Sequence, residues 1–69
     1  MTNVISPYFT DEELETQLMI QFDEEEMHTI DFKSFFNQIE DIGDCLSLKI
    51  RGRTFLIDKI TAFVTEKEA

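Results

Sequence analysis

Cysteine, proline, glycine and tryptophan are scarce or absent in this chain of 69 residues, which has one Cys, one Pro, two Gly and no Trp. Because the single Cys45 has no partner for an internal disulfide, we expect a protein of a reducing compartment. No apolar run approaches the roughly 20 residues that cross a bilayer, and no apolar leader follows Met1. The sequence therefore predicts a cytoplasmic protein that is neither secreted nor anchored in a membrane.

Positive charge is missing from the first 32 residues, which contain nine acidic residues and no Lys or Arg. Residues 33–69 balance six acids against six bases, so the net charge of −9 comes entirely from the first part of the chain. Such a surface repels phosphates and anionic lipids, which argues against direct binding to nucleic acid or membrane. It favours a basic partner.

The rest of the composition predicts one folded domain. Hydrophobic residues make up 42% of the chain, and seven residues are Phe. This is enough for a packed core and unlike a disordered acidic tail. We place a flexible arm at residues 1–9, a single domain at 10–65 and a frayed end at 66–69.

A helix start is encoded at Thr10. Thr10 and Glu13 have the spacing of a capping box, in which each side chain accepts a hydrogen bond from the other residue's backbone N–H. Phe9 and Leu14 stand at the positions of a hydrophobic staple around this cap.

The end of this first helix is ambiguous in the sequence. Leu14, Leu18 and Phe22 keep helical spacing, whereas residues 17–23 also alternate like a half-buried strand. We predict a helix that ends near residue 16, a strand at 17–23 and then a solvated turn at 23–26.

A Phe-rich amphipathic helix is the clearest pattern in the chain. From Phe32 onward, apolar residues recur at i, i+3, i+4, i+7 and i+10, which traces one helix face. Asp31 stands where a helix cap is expected, and Gly43 stands where a left-handed residue ends a helix. We therefore predict a helix over residues 32–42 whose apolar face is formed by Phe32, Phe35, Phe36, Ile39 and Ile42.

A β-hairpin is predicted next. Apolar and polar side chains alternate over residues 46–51, and a second β-rich run begins at Thr54. Gly52 supplies the positive φ that a two-residue turn needs, with either Arg51 or Arg53 as the other turn residue.

Together these elements predict an α+β fold, with a short N-terminal helix followed by β-α-β-β and the Phe-rich helix packed on a small, mostly antiparallel sheet. After Asp58 both helix and strand spacing fit residues 60–65, and the β-branched side chains there favour a strand that resumes after a bend. The residues expected beneath the helix are Leu18, Ile20, Phe22, Leu46, Leu48, Ile50, Phe55 and Ile57.

Three groups of residues resemble chemical sites and are better explained without one. Residues 23–26 with His28 offer oxygen and imidazole ligands but lack the spacing of a calcium loop or a zinc site. A single Cys45 beside a strand of Leu and Ile is typical of a small core residue rather than a nucleophile served by His28. Glu40 and Asp41 are explained as the solvated face of the Phe-rich helix. We expect no metal, no cofactor and no enzymatic activity.

Lys49, Arg51 and Arg53 alternate along one strand, so they are expected on one side of the hairpin tip. Phosphate or RNA binding is one interpretation, but no aromatic residues are interleaved and the net charge opposes it. We favour the interpretation that these cations offset acids within the fold or in a dimer.

Two acidic clusters are the candidate binding residues. They are the first acidic cluster, Asp11, Glu12, Glu13 and Glu15, and the second acidic cluster, Asp23, Glu24, Glu25 and Glu26. Duplex DNA carries about one charge per 1.7 Å of its axis, so a phosphate-binding groove can accept such a surface instead. The leading hypothesis is a small binding protein that docks on a basic site of a larger protein. One form is a DNA-mimic inhibitor, of phage or mobile-element type, of a nucleic-acid-binding protein or nuclease.

The alternative hypothesis is a small accessory or regulatory subunit, or a homodimer, that associates through an apolar outer face of the sheet. That face is expected around Met19, Leu56 and Val64. In this case the acidic charge only keeps the protein in solution.

Overall fold

The computed structural model describes residues 7–68, in which helices cover one face of a four-stranded antiparallel sheet. The elements in chain order are α1 (Asp11–Met19), α2 (Glu24–Met27), a 3₁₀ helix (Phe32–Gln38), β1 (Glu40–Asp41), β2 (Leu46–Ile50), β3 (Arg53–Ile57) and β4 (Val64–Lys67). Each strand pairs with the next one in the chain, which gives the strand order β1-β2-β3-β4. The predicted α+β class, with a short N-terminal helix and a Phe-rich helix on an antiparallel sheet, is confirmed.

Helix α1 begins where the sequence predicts, at the capping box. The Glu13 N–H donates to the Thr10 hydroxyl (3.2 Å), and the Thr10 N–H donates to the Glu13 carboxylate (3.0 Å). Leu14 and Leu18 form the buried face of the helix, and Phe9 before the cap is also buried. The staple and the cap together fix the direction in which α1 leaves the N-terminal segment.

The strand predicted at residues 17–23 is wrong, because α1 continues to Met19 and is followed by a turn. A strand would need Leu18, Ile20 and Phe22 all to face the core. The helix and the turn after it instead bury Leu18 and Phe22 and leave Ile20 67% exposed. Once the capping box has started the helix, each added residue gains a backbone hydrogen bond, which favours extension over a new strand.

The helix predicted over residues 32–42 is shorter and more tightly wound. It is a 3₁₀ helix over Phe32–Gln38, and Asp31 makes no side-chain capping bond to it. The predicted last turn is lost because Glu40–Asp41 pairs with β2 as a short strand. Gly43, at φ +104°, therefore lies in the connection from β1 to β2 rather than at a helix end.

The change of winding also alters which residues face the core. Phe32 and Phe36 are buried, whereas Phe35 and Ile39 are only half-buried against the core. Ile42, predicted on the apolar face, is 56% exposed. A 3₁₀ helix repeats every three residues, so it does not keep the stripe that a 3.6-residue period predicts.

The predicted hairpin is confirmed and its turn is settled. Ile50 lies opposite Arg53, so Arg51 and Gly52 are the two turn residues. Their φ angles are +51° and +82°, and positive values at both positions are what a type I′ turn requires. Gly52 adopts this conformation without steric cost, whereas Arg51 does not.

The bend predicted after β3 is also present. The Asp58 carboxylate accepts hydrogen bonds from the backbone N–H groups of Thr61 (3.0 Å) and Ile60 (2.8 Å), which lower its pKa. The strand predicted at residues 60–65 starts only at Val64, because this turn occupies the residues before it.

Phe9 and β4 lie near the two ends of the described chain. The predicted arm at residues 1–9 lies mostly outside the described residues, which start at Pro7, and Phe9 is buried. At the other end, β4 continues to Lys67, past the predicted domain limit at 65. Ala69 lies outside the described residues.

One core lies between the helices and the inner face of the sheet. It contains every residue predicted beneath the helix except Ile20. Its buried members are Phe9, Leu14, Leu18, Phe22, Ile30, Phe32, Phe36, Leu46, Leu48, Ile50, Phe55, Ile57, Ala62 and Val64.

Arg53 ties the sheet to the turn between α1 and α2. Its Nε and Nη2 donate to the Glu66 carboxylate on β4 (3.0 and 2.8 Å), and Nη2 also donates to the Gln21 carbonyl (3.0 Å). The guanidinium carbon lies 4.6 Å from the centroid of the Phe22 ring and 5.2 Å from that of Phe55. The paired guanidinium lowers the pKa of Glu66. This network places α2 relative to the sheet.

The turn residues give a first prediction. Arg51→Asn should raise the free energy of unfolding by about 0.5–1 kcal/mol, since Asn tolerates the left-handed conformation better than Arg. Gly52→Ala should lower it by about 1 kcal/mol, because a Cβ there is strained. Urea denaturation of both variants checks this, and a neutral Gly52→Ala would contradict the turn assignment.

The Phe-rich helix gives a second prediction. Phe36→Ala should cost about 3–5 kcal/mol of stability because its ring is 2% exposed, while Phe35→Ala should cost only about 1–2 kcal/mol. Phe36→Leu keeps the domain folded for measurement if the alanine variant does not fold. Equal losses in Phe35→Ala and Phe36→Ala, measured by denaturation, would argue for a regular α-helical stripe instead.

The Arg53 network gives a third prediction. Arg53→Lys should lower the free energy of unfolding by about 1–2 kcal/mol, because an ammonium cannot make the bidentate pair and also stack on Phe22. Arg51→Lys is the matched control, since that guanidinium makes only a 3.3 Å contact with the Thr29 carbonyl. The control should stay within about 0.5 kcal/mol of wild type.

Candidate functional site

The first acidic cluster lies on the first turns of α1, at the positive end of the helix dipole. The carboxylates of Glu12 and Glu13 are engaged inside the protein. Glu13 belongs to the capping box, and Glu12 forms an ion pair with Lys33 at the start of the 3₁₀ helix (3.0 Å). The hydrogen bond between them lowers the pKa of Glu12 and raises that of Lys33. Glu15 makes no hydrogen bond or ion pair with another described residue.

The second acidic cluster begins the one-turn helix α2, at the place where the sequence predicts a solvated turn. Asp23 is the N-cap residue but its side chain makes no capping bond, and Glu24, Glu25 and Glu26 fill the first turn. Glu24 and Glu25 are exposed. Within residues 7–68, none of these four side chains makes a hydrogen bond or an ion pair. The cluster is therefore available to another molecule.

The hairpin cations do not neutralise the acidic clusters by direct pairing. The prediction that Lys49, Arg51 and Arg53 share one side is wrong, because the two-residue turn puts Arg53 opposite Ile50 on the inner face. Arg53 pairs with Glu66, as expected for a cation that offsets acid within the fold. Asp23 and Glu26 are near enough to contribute to its raised pKa, after the main contribution from Glu66.

The outer face of the sheet carries cations instead of acidic clusters. Lys49 on β2 lies opposite Thr54 on β3, which lies opposite Lys67 on β4. Neither lysine forms an ion pair with another described residue. α1 and the 3₁₀ helix pack on the other face of the sheet, and Met27 of α2 packs against the core on that side. The acidic clusters and the unpaired lysines Lys49 and Lys67 are therefore separated across the domain.

A shallow apolar notch lies between the end of α1 and α2, and the sequence did not predict it. Its volume is about 290 Å³ and its lining residues are Thr16, Met19, Ile20 and Met27. Met19 and Met27 pack partly against the core, while Ile20 stands out into solvent. Leu14, Leu18 and Phe22 have helical spacing in the sequence. An interpretation of this whole segment as a helix would have predicted Ile20 on the solvent-exposed face.

The apolar sheet face of the alternative hypothesis is not formed by the predicted residues. Val64 is 1% exposed and faces the core opposite Ile57, and Met19 is on α1. Leu56 is the one of the three on the outer face, where its strand neighbours are Ser47 and Thr65. Polar neighbours and lysines make most of this face a solvated side of an antiparallel sheet. Leu56 also lines a shallow depression with Cys45 and with Phe63, which is 61% exposed.

The groups considered for chemistry stay apart. Cys45 is half-buried before β2, and His28 is exposed after α2. Asp41 lies in β1 rather than on a helix face, and its ion pair with Lys59 (2.7 Å) lowers its pKa. In the part of the chain that the structure describes, no group of acidic, His or Cys side chains is arranged to hold a metal ion.

A larger depression of about 600 Å³ lies at the open end of β3 and β4. Arg53 and Glu66 line it, and their charges already satisfy each other. Across residues 7–68, no helix is long and apolar enough to cross a membrane.

No protein-family model, no curated protein and no solved structure matches this chain. What the protein does is therefore inferred from its own charges, burial and contacts.

Proposed function

We propose that this chain is a non-enzymatic binding protein whose acidic helical surface docks on a basic site of a larger protein. The observation that carries this proposal is the second acidic cluster, four adjacent carboxylates with no hydrogen bond or ion pair to another described residue. Like charges held side by side repel one another, and a cationic partner surface relieves that repulsion.

The local structure supports docking because the acids are held on helices. Residues 24–26 occupy successive positions of one helical turn, so the helical backbone sets the direction in which each carboxylate points. The Arg53 contact to the Gln21 carbonyl fixes the turn just before α2. A partner then pays less conformational entropy than it would on a flexible acidic tail.

Charge separation also supports the proposal. Both acidic clusters lie on the helical side, and Lys49 and Lys67 lie on the outer face of the sheet. A domain with this separation turns its helical side toward a basic surface before contact, which raises the encounter rate. The negative electrostatic potential of the helical side favours a partner protein that itself binds phosphates. The form we propose is a DNA mimic that covers a nucleic-acid-binding or nuclease site.

The test is a matched pair of charge variants. Glu24→Gln, Glu25→Gln and Glu26→Gln together remove three charges from α2, and should weaken binding to basic nucleic-acid-binding proteins at least about tenfold at low salt. Binding is measured by titration calorimetry against a panel of such proteins and nucleases, with duplex DNA as the competitor. Wild-type affinity should fall steeply as salt rises.

The control removes the same charge elsewhere. Glu40→Gln, Asp44→Asn and Glu68→Gln together change exposed acids outside both clusters. This variant should bind nearly as well as wild type. Equal weakening in both triple variants would mean that only net charge matters, and binding that ignores salt would remove the proposal altogether.

A further inference from the structure

We propose that the apolar notch of Thr16, Met19, Ile20 and Met27 receives an apolar side chain from a basic amphipathic helix of the partner. This inference rests on the proposed function and names the chemistry of the partner: a helix with Lys or Arg around one apolar stripe. The acidic clusters attract that helix, and the notch binds its apolar face.

The notch is apolar and open to solvent, and it lies at the edge of the core between the end of α1 and α2. Ile20, directly after α1, is 67% exposed, and the half-buried side chains of Met19 and Met27 line the notch beside it. Met side chains are flexible and polarizable, so they adapt to inserted groups of different shape. The notch suits one or two aliphatic or aromatic side chains rather than a whole small molecule.

Carboxylates lie one helical turn from the notch residues on both of the helices that form it. On α1, Glu12, which is paired with Lys33, and Glu15 precede Thr16 and Met19 by four residues, so each lies one turn away on the same helix face. On α2, Glu24 precedes Met27 by three residues and is likewise on its face. An apolar notch with an acidic rim is complementary to a helix that has an apolar stripe with basic flanks.

The dimensions agree with a helical occupant. From Glu12 to Ile20, α1 and the residue after it advance about 12 Å along the axis, which is about two helical turns. An amphipathic partner helix presents apolar anchors at i, i+3, i+4 and i+7, a span of similar length. A second copy of this chain is a poor occupant, because its own notch carries the same acidic rim and like charges repel.

The experiment uses the full chain and two synthetic peptides of about 18 residues, long enough to form a helix on binding. The amphipathic peptide has Lys on one face and Leu on the other. The polar peptide has the same Lys residues, with each Leu replaced by Gln. Affinities are measured by fluorescence anisotropy over a range of salt concentrations.

The inference predicts that wild type binds the amphipathic peptide at least about tenfold more tightly than the polar peptide. Ile20→Ser should remove most of that difference and leave the affinity for the polar peptide unchanged. Ile60→Ser is the matched control, since Ile60 is 63% exposed and lies in the turn before β4. It should bind both peptides as wild type does.

The remaining outcomes separate this inference from the proposed function. Equal affinity for the two peptides, with normal salt dependence, would overturn the notch as a binding site and leave charge-driven docking intact. No binding of either peptide at low salt would overturn both. Light scattering that shows a dimer, dissociated by Ile20→Ser, would also overturn the inference, because the occupant of the notch would then be a second copy.

Discussion

The contact on which the rest of the structure depends is the Arg53 guanidinium between the sheet and the helical side. It is bound to Glu66 on β4, donates to the Gln21 carbonyl and stacks on the Phe22 ring. A small domain has few core residues to define how its layers meet, so one planar group with several fixed directions has a large effect. Because Arg53 fixes the turn before α2, it also fixes the acidic surface.

The same contact explains why the acidic surface remains open. Glu66, Glu12 and Asp41 take the nearest cations in ion pairs, while Lys49 and Lys67 are held on the opposite side of the sheet. The second acidic cluster is therefore left without a direct partner inside the described part of the molecule. A strongly charged surface whose carboxylates mostly lack direct ion pairs in the described residues is suited to binding a macromolecule of opposite charge.

Much of the fold was predictable where local chemistry and packing agree. The capping box of Thr10, the hairpin at Gly52 and the alternation of β2 each depend on contacts close in sequence, and each is confirmed. The prediction failed at residues 17–23, where helix and strand periods both fit the sequence, and after Gln38, where the helical spacing continues but the chain forms a strand. After Gln38 the outcome depended on the pairing of β1 with β2, which the apolar spacing does not indicate. The notch beside Ile20 was not predicted because a strand at residues 17–23 would have turned Ile20 toward the core.

The sequence by itself determined the charge and the local elements: an acidic first half without cations, a helix start, a hairpin and enough Phe to build a core. These depend on residue identity and on neighbours within a few positions. The tertiary structure alone decided which carboxylates are paired, which face carries the lysines and where α1 and α2 leave an apolar notch. Those features depend on the distances between segments far apart in the chain, which only packing fixes.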